Sequence, residues 1–286
     1  MNATVSTFMT ARLGLDRRRM RSIALGSIPF LLLLGVWQLN TYKGWLKPVY
    51  IPPIGSVVGA MYTLQEGCQG FWGALTLQEN CLFTNHVLSS LGRVGLGLLV
   101  GLPFGIGLGL VAGMHRRLGN MMEPVGVFAN AISGIAWVPL AIVWFGVGWF
   151  TTLFILLNTI FWLVFFNTLL GVRSVPRTYE HSVLTLGGNR WHVIAQVYLP
   201  GALPSIVTGV RMSMGFGWRA LIAAEMIGGN RGLGFMIFVS AGEYKVEEVF
   251  LGVLLIGIIW MITDRAILVP LEKWTIERWG MVWKPS

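Results

Sequence analysis

The segment Glu180-His-Ser-Val-Leu-Thr-Leu-Gly-Gly-Asn-Arg-Trp-His-Val-Ile-Ala-Gln-Val-Tyr-Leu-Pro200 is the longest polar-tolerant stretch in the second half of a very apolar chain. It lies between two hydrophobic runs, each of which is long enough to cross a bilayer. Arg173, Arg177 and Arg190 lie on and around it. Because basic residues are enriched in cytoplasmic loops, the segment is predicted to lie in the cytoplasm between two membrane spans.

The whole chain has the composition of an integral membrane protein. Of its 286 residues, 55% are hydrophobic and 12% are charged, whereas a soluble domain has roughly 25% charged residues. The net charge of +9 could indicate a nucleic-acid partner. The basic residues fall in short loops, however, as they do on the cytoplasmic side of membrane proteins. We therefore expect a lipid bilayer around the protein and no nucleic-acid partner.

The apolar runs predict an all-α membrane protein with six transmembrane helices and both termini in the cytoplasm. The predicted spans are residues 23–39, 86–114, 124–147, 151–170, 204–226 and 250–268. The segments assigned to the cytoplasm carry most of the basic residues, namely Arg12, Arg17, Arg18, Arg19, Arg21, Arg116, Arg117, Arg173, Arg177, Arg190, Lys273, Arg278 and Lys284. The segments assigned to the outside carry Lys43, Lys47, Arg231 and Lys245. This asymmetry supports the orientation.

The chain is predicted to have four parts. They are a cytoplasmic arm (1–22), a first transmembrane helix with an external segment (23–82), a transmembrane core (83–270) that contains the cytoplasmic loop 174–200, and a cytoplasmic tail (271–286). The first run ends without a small-residue cleavage site, so it is interpreted as a retained helix and not a signal peptide. Residues 229–249 are predicted to be an external loop.

The external segment contains both cysteines of the chain, Cys68 and Cys81. A disulfide between them is one expectation in an oxidising compartment, and two unrelated thiols are the alternative. No CxxC pair is present, so no metal site is expected.

A glycine recurs every four residues through the second predicted span. The stripe consists of Gly97, Gly101, Gly105, Gly109 and Gly113. Small residues at this spacing let another helix backbone approach closely in a membrane. The stripe is therefore predicted to be a packing face, within the chain or between two copies. Pro103 is expected to kink this helix, and Arg93 is expected to extend its side chain toward the outer interface.

Ionisable residues interrupt the fifth predicted span. Arg211, Arg219 and Glu225 lie within it, and such residues usually face a bundle interior or a water-filled cavity. Arg211 and Glu225 are separated by about 21 Å along a helix axis and by about 40° around it. We predict that the three line a translocation path, with Arg219 between the two mouths. A structural ion pair or an interfacial side chain is the alternative.

The sequence contains none of the nucleotide-binding or hydrolase motifs that were sought. Walker A, Rossmann, HExxH and GxSxG patterns are all absent. No cofactor is therefore expected in this chain, and any ATP hydrolysis must come from a partner. The histidines, His86, His115, His181 and His192, are scattered and are interpreted as polar residues at helix ends and in loops.

The opening segment resembles the cytoplasmic "EAA" loop of ABC-importer permeases. The shared pattern is Gly187, nine residues, Val197, one residue and then Leu199-Pro200, while His181-Ser182-Val183 stand where Glu-Ala-Ala is expected. The resemblance extends to the nitrate/sulfonate/bicarbonate (NitT/TauT) branch through the stretches Ile135–Gly146, Asn167–Arg173, Pro204–Arg211 and Ala223–Met226.

This resemblance implies a type I ABC importer permease fold and a transporter subunit that is not itself an enzyme. It implies a second permease copy in a homodimer, two cytoplasmic ATPases that bind ATP and Mg, an external binding protein and a place in the bacterial inner membrane. The loop would be the coupling helix that docks on the ATPase. Its implied coupling residues are His181, Leu186, Gly187, Gly188, Val197, Leu199 and Pro200.

The loop also has apolar residues at helical spacing, including Trp191, Ile194 and Val197. Such a face suits insertion into a groove on a partner, and packing under the protein's own helices is the alternative. The expected solute is a small anion of the nitrate, sulfonate or bicarbonate class. An importer for an aromatic carboxylate or a thiamine- or riboflavin-type precursor is the first alternative. A membrane-embedded enzyme or assembly factor is a more distant one.

Overall fold

The computed structural model describes residues 17–65, 82–272 and 275, and these residues form helices and connecting turns without any strand. The helices are α1 (Arg17–Lys43), α2 (Ile54–Thr63), α3 (Leu82–Met114), α4 (Arg116–Ala131), α5 (Val138–Phe145), α6 (Trp149–Ser174), α7 (Arg177–Thr185), α8 (Arg190–Val193), α9 (Leu199–Gly228), α10 (Leu233–Gly242), α11 (Val246–Thr263) and α12 (Val269–Glu272). The prediction of an all-α protein is confirmed. Cys68 and Cys81 lie outside the described residues.

The chain divides into two compact units after Gly59. In the first unit, α1 covers the predicted first span, but it begins at Arg17, within the stretch that was assigned to the arm. Trp37 Nε1 donates a hydrogen bond to the Pro52 carbonyl oxygen at 2.8 Å. The Leu46 amide donates to Asn40 Oδ1 at 2.9 Å. These two bonds hold the chain that follows α1 back against the end of that helix.

The second unit is built around α6, which packs along α3 on one side and α9 on another. Ile155, Leu156, Ile160, Val164 and Phe165 of α6 are all buried. They belong to the apolar run of the predicted fourth span. In a bilayer they stabilise the bundle through close packing and not by leaving water, because lipid is as apolar as the core.

The glycine stripe of α3 lies against α6. A Cβ atom built on Gly97, Gly101, Gly105, Gly109 or Gly113 would come within 2.5–3.0 Å of atoms of α6. At Gly105 and Gly109 the obstructing atoms include backbone carbonyl oxygens of α6, which cannot move aside. The stripe is thus a face for packing two helices of the same chain.

Two predicted elements differ in the structure. The third predicted span is not one helix: it is broken between α4 and α5, where a short 3₁₀ turn (Gly134–Trp137) begins, and the two halves meet at 86°. Pro139 lies in the first turn of α5, where its missing amide is tolerated. The predicted external loop 229–249 contains a helix, α10.

Four helical stretches of the described chain are long and apolar enough to cross a membrane, and the broken pair would make a fifth. They contain α3, α6, α9 and α11, and the broken pair corresponds to the predicted third span. The chain is therefore a multi-pass membrane protein.

Candidate functional site

The break between α4 and α5 opens a cavity in the second unit. Gly134 permits this geometry, because a Cβ atom there would lie 2.8 Å from Thr159 Oγ1 of α6 and 3.2 Å from the Ala220 Cβ of α9. Irregular backbone at membrane depth is tolerated only where it is buried in protein or lines a water-filled cavity. The broken backbone lines a cavity here, as this rule requires.

The cavity has a volume of about 510 Å³ and is bordered by α4, the 3₁₀ turn, α6 and α9. Its polar lining consists of Asn130, Ser133, Asn158, Thr159 and Arg219. Trp162 and Phe216 are among its apolar walls, and the former donates a hydrogen bond from Nε1 to Asn158 Oδ1 at 3.1 Å. We refer to this space as the Arg219 cavity.

Arg219 is exposed in this cavity. Its guanidinium lies 5.9 Å from the Phe216 ring centroid, and it forms no ion pair with any other residue in the described part of the chain. A positive group without a protein counter-ion, held in a cavity between spans, can balance the charge of an anion. That Arg219 lines a translocation path stays a prediction.

Glu225 does not line a path, so this part of the prediction is wrong. Its carboxylate is fully buried and forms a 2.7 Å ion pair with Arg93 Nη1. Ser90 Oγ lies 2.8 and 2.9 Å from the two carboxylate oxygens, and the Gly234 amide donates to Oε2 at 3.0 Å. The expected extension of the Arg93 side chain toward an interface is corrected too, because this side chain is fully buried and the carboxylate partner compensates for its lost hydration.

The buried pair ties α3, α9 and the start of α10 together. Arg93 Nη1 also donates to the Arg231 carbonyl oxygen at 2.8 Å, and its guanidinium lies 4.7 Å from the Trp149 ring centroid. Gly232 adopts a positive φ of +123°, and a Cβ atom there would collide with the Glu225 carboxylate. The sequence analysis missed the role of Arg93, although a charged residue inside an apolar run was a signal that it needed a partner.

Arg211 lies near the other end of α9 and is half-exposed. It pairs with Glu272 and, at 3.4 Å, with Asp264 Oδ1. It therefore joins α9 to the end of the last predicted span. Of the three residues predicted to line a path, the structure brings only Arg219 into the cavity.

The loop after α6 forms an ordered segment that contains α7 and α8. Gly187 adopts φ +82°, a conformation that favours glycine, at the bend between the two helices. The Gly188 amide donates to the Val183 carbonyl oxygen at 2.9 Å. Asn189 and His192 form a reciprocal capping box at the start of α8, with bonds of 3.0 and 3.3 Å. The bend is thus held by local hydrogen bonds.

Large apolar side chains are exposed on this segment among polar ones. Leu186 is 88% exposed and Trp191 is 76% exposed, and His181 and Gly187 are exposed beside them. Val197 is buried instead, in a core cluster with Val172 and Val193. Its predicted contact with a partner is therefore corrected to packing under the protein's own helices, which was the alternative. Leu199 and Pro200 begin α9.

A contact across the segment fixes its shape. The Tyr198 hydroxyl donates to Glu180 Oε2 at 2.6 Å. This joins α7 to the π-helical turn (Ile194–Tyr198) that precedes α9. A sequence pattern alone gave no signal for this pairing, because the two residues are 18 positions apart.

Within the described residues no three His, Cys, Asp or Glu side chains are placed to hold a metal ion.

The chain is similar in sequence to membrane subunits of transport systems. Residues 101–266 match the family described as "Binding-protein-dependent transport system inner membrane component". The chain is 34% identical over 258 residues to the taurine transport system permease protein TauC of Escherichia coli (strain K12), covering 89% of this chain and 90% of that protein.

Two further relatives are named for other oxyanions. The bicarbonate transport system permease protein CmpB of Synechococcus elongatus is 34% identical over 193 residues, which cover 67% of this chain and 69% of that protein. The nitrate import permease protein NrtB of Leptolyngbya laminosa is 26% identical over 267 residues, which cover 92% and 90% of the two chains.

Proposed function

Because the chain belongs to the binding-protein-dependent transport system inner membrane components, in the nitrate/sulfonate/bicarbonate branch of ABC-importer permeases, we propose that it is the membrane-spanning subunit of an ATP-driven importer for a small oxyanion. The solute would arrive on an external binding protein and leave into the cytoplasm. Taurine, nitrate and bicarbonate are the solutes in the names of its relatives. The proposed solute class follows from these names and from the charge of the cavity.

The observation that carries this proposal is the Arg219 cavity. An oxyanion that crosses a low-dielectric barrier needs a positive group on its way. Arg219 supplies that charge without a competing carboxylate, since the cavity lining contains no Asp or Glu among the described residues. Asn130, Ser133 and Asn158 supply neutral polar groups that can hydrogen-bond the oxygens of the solute.

Uptake measurements test this role. Cells that lack their own sulfonate, nitrate and bicarbonate importers would express the chain with its ATPase and binding protein, and uptake of each radiolabelled anion would be measured. Arg219→Gln should lower uptake at least about tenfold, since a charge pair at about 4 Å and an effective dielectric constant of about 20 contributes about 4 kcal/mol before desolvation is subtracted. Arg219→Lys should retain part of the rate.

Arg265→Gln is the matched control. This arginine is exposed on the helical turn that follows α11, and it does not line the Arg219 cavity. Normal uptake by Arg219→Gln at equal expression would contradict the path role. Uptake of a neutral or cationic precursor, with no uptake of any of the three anions, would favour the alternative class of solute.

The second part of the proposal is coupling through the segment that contains α7 and α8. Leu186 and Trp191 present apolar surface on a loop that the positive-inside rule assigns to the cytoplasm. The chain has no motif for binding ATP, so the energy for transport must come from a partner that contacts this side. An exposed apolar side chain on a rigid bend suits a groove on that ATPase.

Leu186→Asp tests this contact. The side chain is exposed, so the variant should fold and insert normally but should lose copurification with the ATPase or solute-stimulated ATP hydrolysis. Thr178→Asp, which adds the same charge at the opposite end of α7, is the control and should leave both unchanged. Coupled ATP hydrolysis by Leu186→Asp at the wild-type rate would refute the proposed contact.

The complete transporter would contain two copies of this chain, two ATPases and one binding protein on the outer side. Both termini would lie in the cytoplasm. Accessibility of single cysteines placed at residues 2 and 285 to a membrane-impermeant thiol reagent, in intact cells and in inverted vesicles, would test that orientation.

A further inference from the structure

A second polar cavity lies at the end of the bundle where α3 passes into α4 and α6 passes into α7. Its volume is about 560 Å³. Its charged and polar lining consists of Arg116, Arg173, Arg177, Asn120 and Tyr198, and no carboxylate lines it among the described residues. We call it the basic cavity. It is separate from the Arg219 cavity and shares no lining residue with it.

The basic cavity holds more positive charge than the protein neutralises. Arg173 Nη1 pairs with Glu123 Oε2 at 2.7 Å, and its Nη2 donates to Asn120 Oδ1 at 3.1 Å. Arg116 and Arg177 form no ion pair with any residue in the described part of the chain. Three guanidinium groups therefore share one space with two carboxylates just outside its lining, Glu123 on Arg173 and Glu180 on the Tyr198 hydroxyl. Such a space attracts an anion with several oxygens, because guanidinium groups bind these oxygens in pairs.

The backbone adds to this charge. Arg116 and Arg177 are the first residues of α4 and α7, and the residues before them, His115 and Pro176, provide no side-chain cap. The free amides of a first helical turn carry partial positive charge and hydrogen-bond readily to anions. Both helix starts thus reinforce the charge of the arginines.

The surroundings of the basic cavity also contain apolar surface. Met114 and Val172, at the ends of two membrane helices, line it beside the arginines. Arginine-rich pockets between span ends on the cytoplasmic side suit the head groups of anionic lipids. A free anion in the cytoplasm presents the same chemistry without the lipid.

We propose that the basic cavity binds a phosphate- or sulfonate-type oxyanion group on the cytoplasmic side of the membrane. The group is provided either by the head group of an anionic phospholipid of the inner leaflet or by a free anion. This site is independent of the proposed oxyanion path, because neither its residues nor its charge contribute to the Arg219 cavity. A bound oxyanion group would link the junction of α3 and α4 to the junction of α6 and α7. It should thereby stabilise the start of the segment that contains α7 and α8.

The test uses the full-length chain, purified in detergent and stripped of lipid. Its thermal unfolding midpoint, followed by tryptophan fluorescence, would be measured during titration with dioctanoyl-phosphatidylglycerol, dioctanoyl-phosphatidylcholine or sodium phosphate at constant ionic strength. The wild-type midpoint should rise and saturate with phosphatidylglycerol or phosphate, and it should not rise with phosphatidylcholine.

The double variant Arg116→Gln/Arg177→Gln should need a higher concentration of ligand for the same rise. Each arginine near an anionic head group contributes about fivefold to binding, so two contribute roughly 30-fold. The matched control is Arg190→Gln/Arg265→Gln, which removes two exposed arginines outside the cavity and should behave as the wild type. If the double variant is poorly folded, Arg177→Gln alone should show about fivefold weaker binding.

The arms of the experiment separate the two sources. Saturation by phosphatidylglycerol, with competition by free phosphate, assigns the site to a lipid head group, and saturation by phosphate alone assigns it to a soluble anion. Both results support the site. No shift in the wild type, or equal shifts in the cavity variant and the control, overturns the proposal.

Discussion

Replacing Glu225 by glutamine changes one atom of the buried cluster that closes one end of the bundle. Each carboxylate oxygen accepts a hydrogen bond, Oε1 from Arg93 and Oε2 from Gly234, and the single proton of the Ser90 hydroxyl is shared between the two oxygens. The amide group of a glutamine must replace one of these oxygens. Whichever way the side chain turns, an NH₂ group would face either the guanidinium or the backbone amide, and both of these are donors.

The expected cost follows from this geometry. In either orientation the variant leaves the Arg93 charge fully buried without a carboxylate to balance it. Breaking a buried ion pair by removing one partner destabilises a protein by about 3–5 kcal/mol. A loss of about 3 kcal/mol changes the ratio of folded to unfolded protein by more than about 100-fold. Glu225→Gln should therefore fold poorly or unfold at a distinctly lower denaturant concentration.

The assay is reversible unfolding in mixed micelles, with fluorescence of the many tryptophans as the signal. The control is Glu243→Gln, which removes one of the two carboxylate partners of the exposed Lys245 and should leave the midpoint unchanged. The double variant Arg93→Gln/Glu225→Gln should lose less than the sum of the two single variants, since the two side chains are in direct contact. A Glu225→Gln protein as stable as the wild type, or strictly additive losses, would refute the reasoning.

Two further predictions concern the packing of α3 on α6 and the segment that contains α7 and α8. Gly105→Leu should lower the yield of folded protein, because even a Cβ atom there meets a backbone oxygen of α6 at 3.0 Å. Gly107→Leu on the same helix faces open space and should be tolerated. Equal yields of the two variants in size-exclusion chromatography would contradict this prediction. Tyr198→Phe should lose the hydrogen bond to Glu180, loosen α7 and speed amide hydrogen exchange there by roughly three- to tenfold, as expected for a bond of about 0.5–1.5 kcal/mol. The exposed Tyr179→Phe is its control, and unchanged exchange in both variants would show that this bond does not hold the segment.

Several features of the fold could be predicted from the sequence because they depend on local patterns. Apolar runs of sufficient length predict spans, since a helix in lipid satisfies its own backbone hydrogen bonds. The four-residue glycine spacing predicts a smooth helix face, and the structure shows α6 against it. The bend at Gly187 follows from two consecutive glycines in a polar segment, and its φ of +82° agrees. The break at Gly134 was not predicted, because a Gly and a Pro inside a long apolar run are compatible with a kinked continuous helix.

The sequence by itself determined that this chain crosses a membrane several times, that its charges are distributed asymmetrically and that Arg219 needs a polar surrounding, because these follow from solvation and from helical periodicity. Only the tertiary structure decided how each charge is used. Arg93 and Glu225 are 132 positions apart, and they meet because α3 and α9 both pack on α6. Periodicity assigns a side chain to a face of its own helix, but the neighbour of that face depends on how the helices pack. For this reason Glu225 is paired with Arg93 inside the bundle and Val197 belongs to the core, while Arg219, alone among the three ionisable residues of the fifth predicted span, forms no ion pair with a described residue.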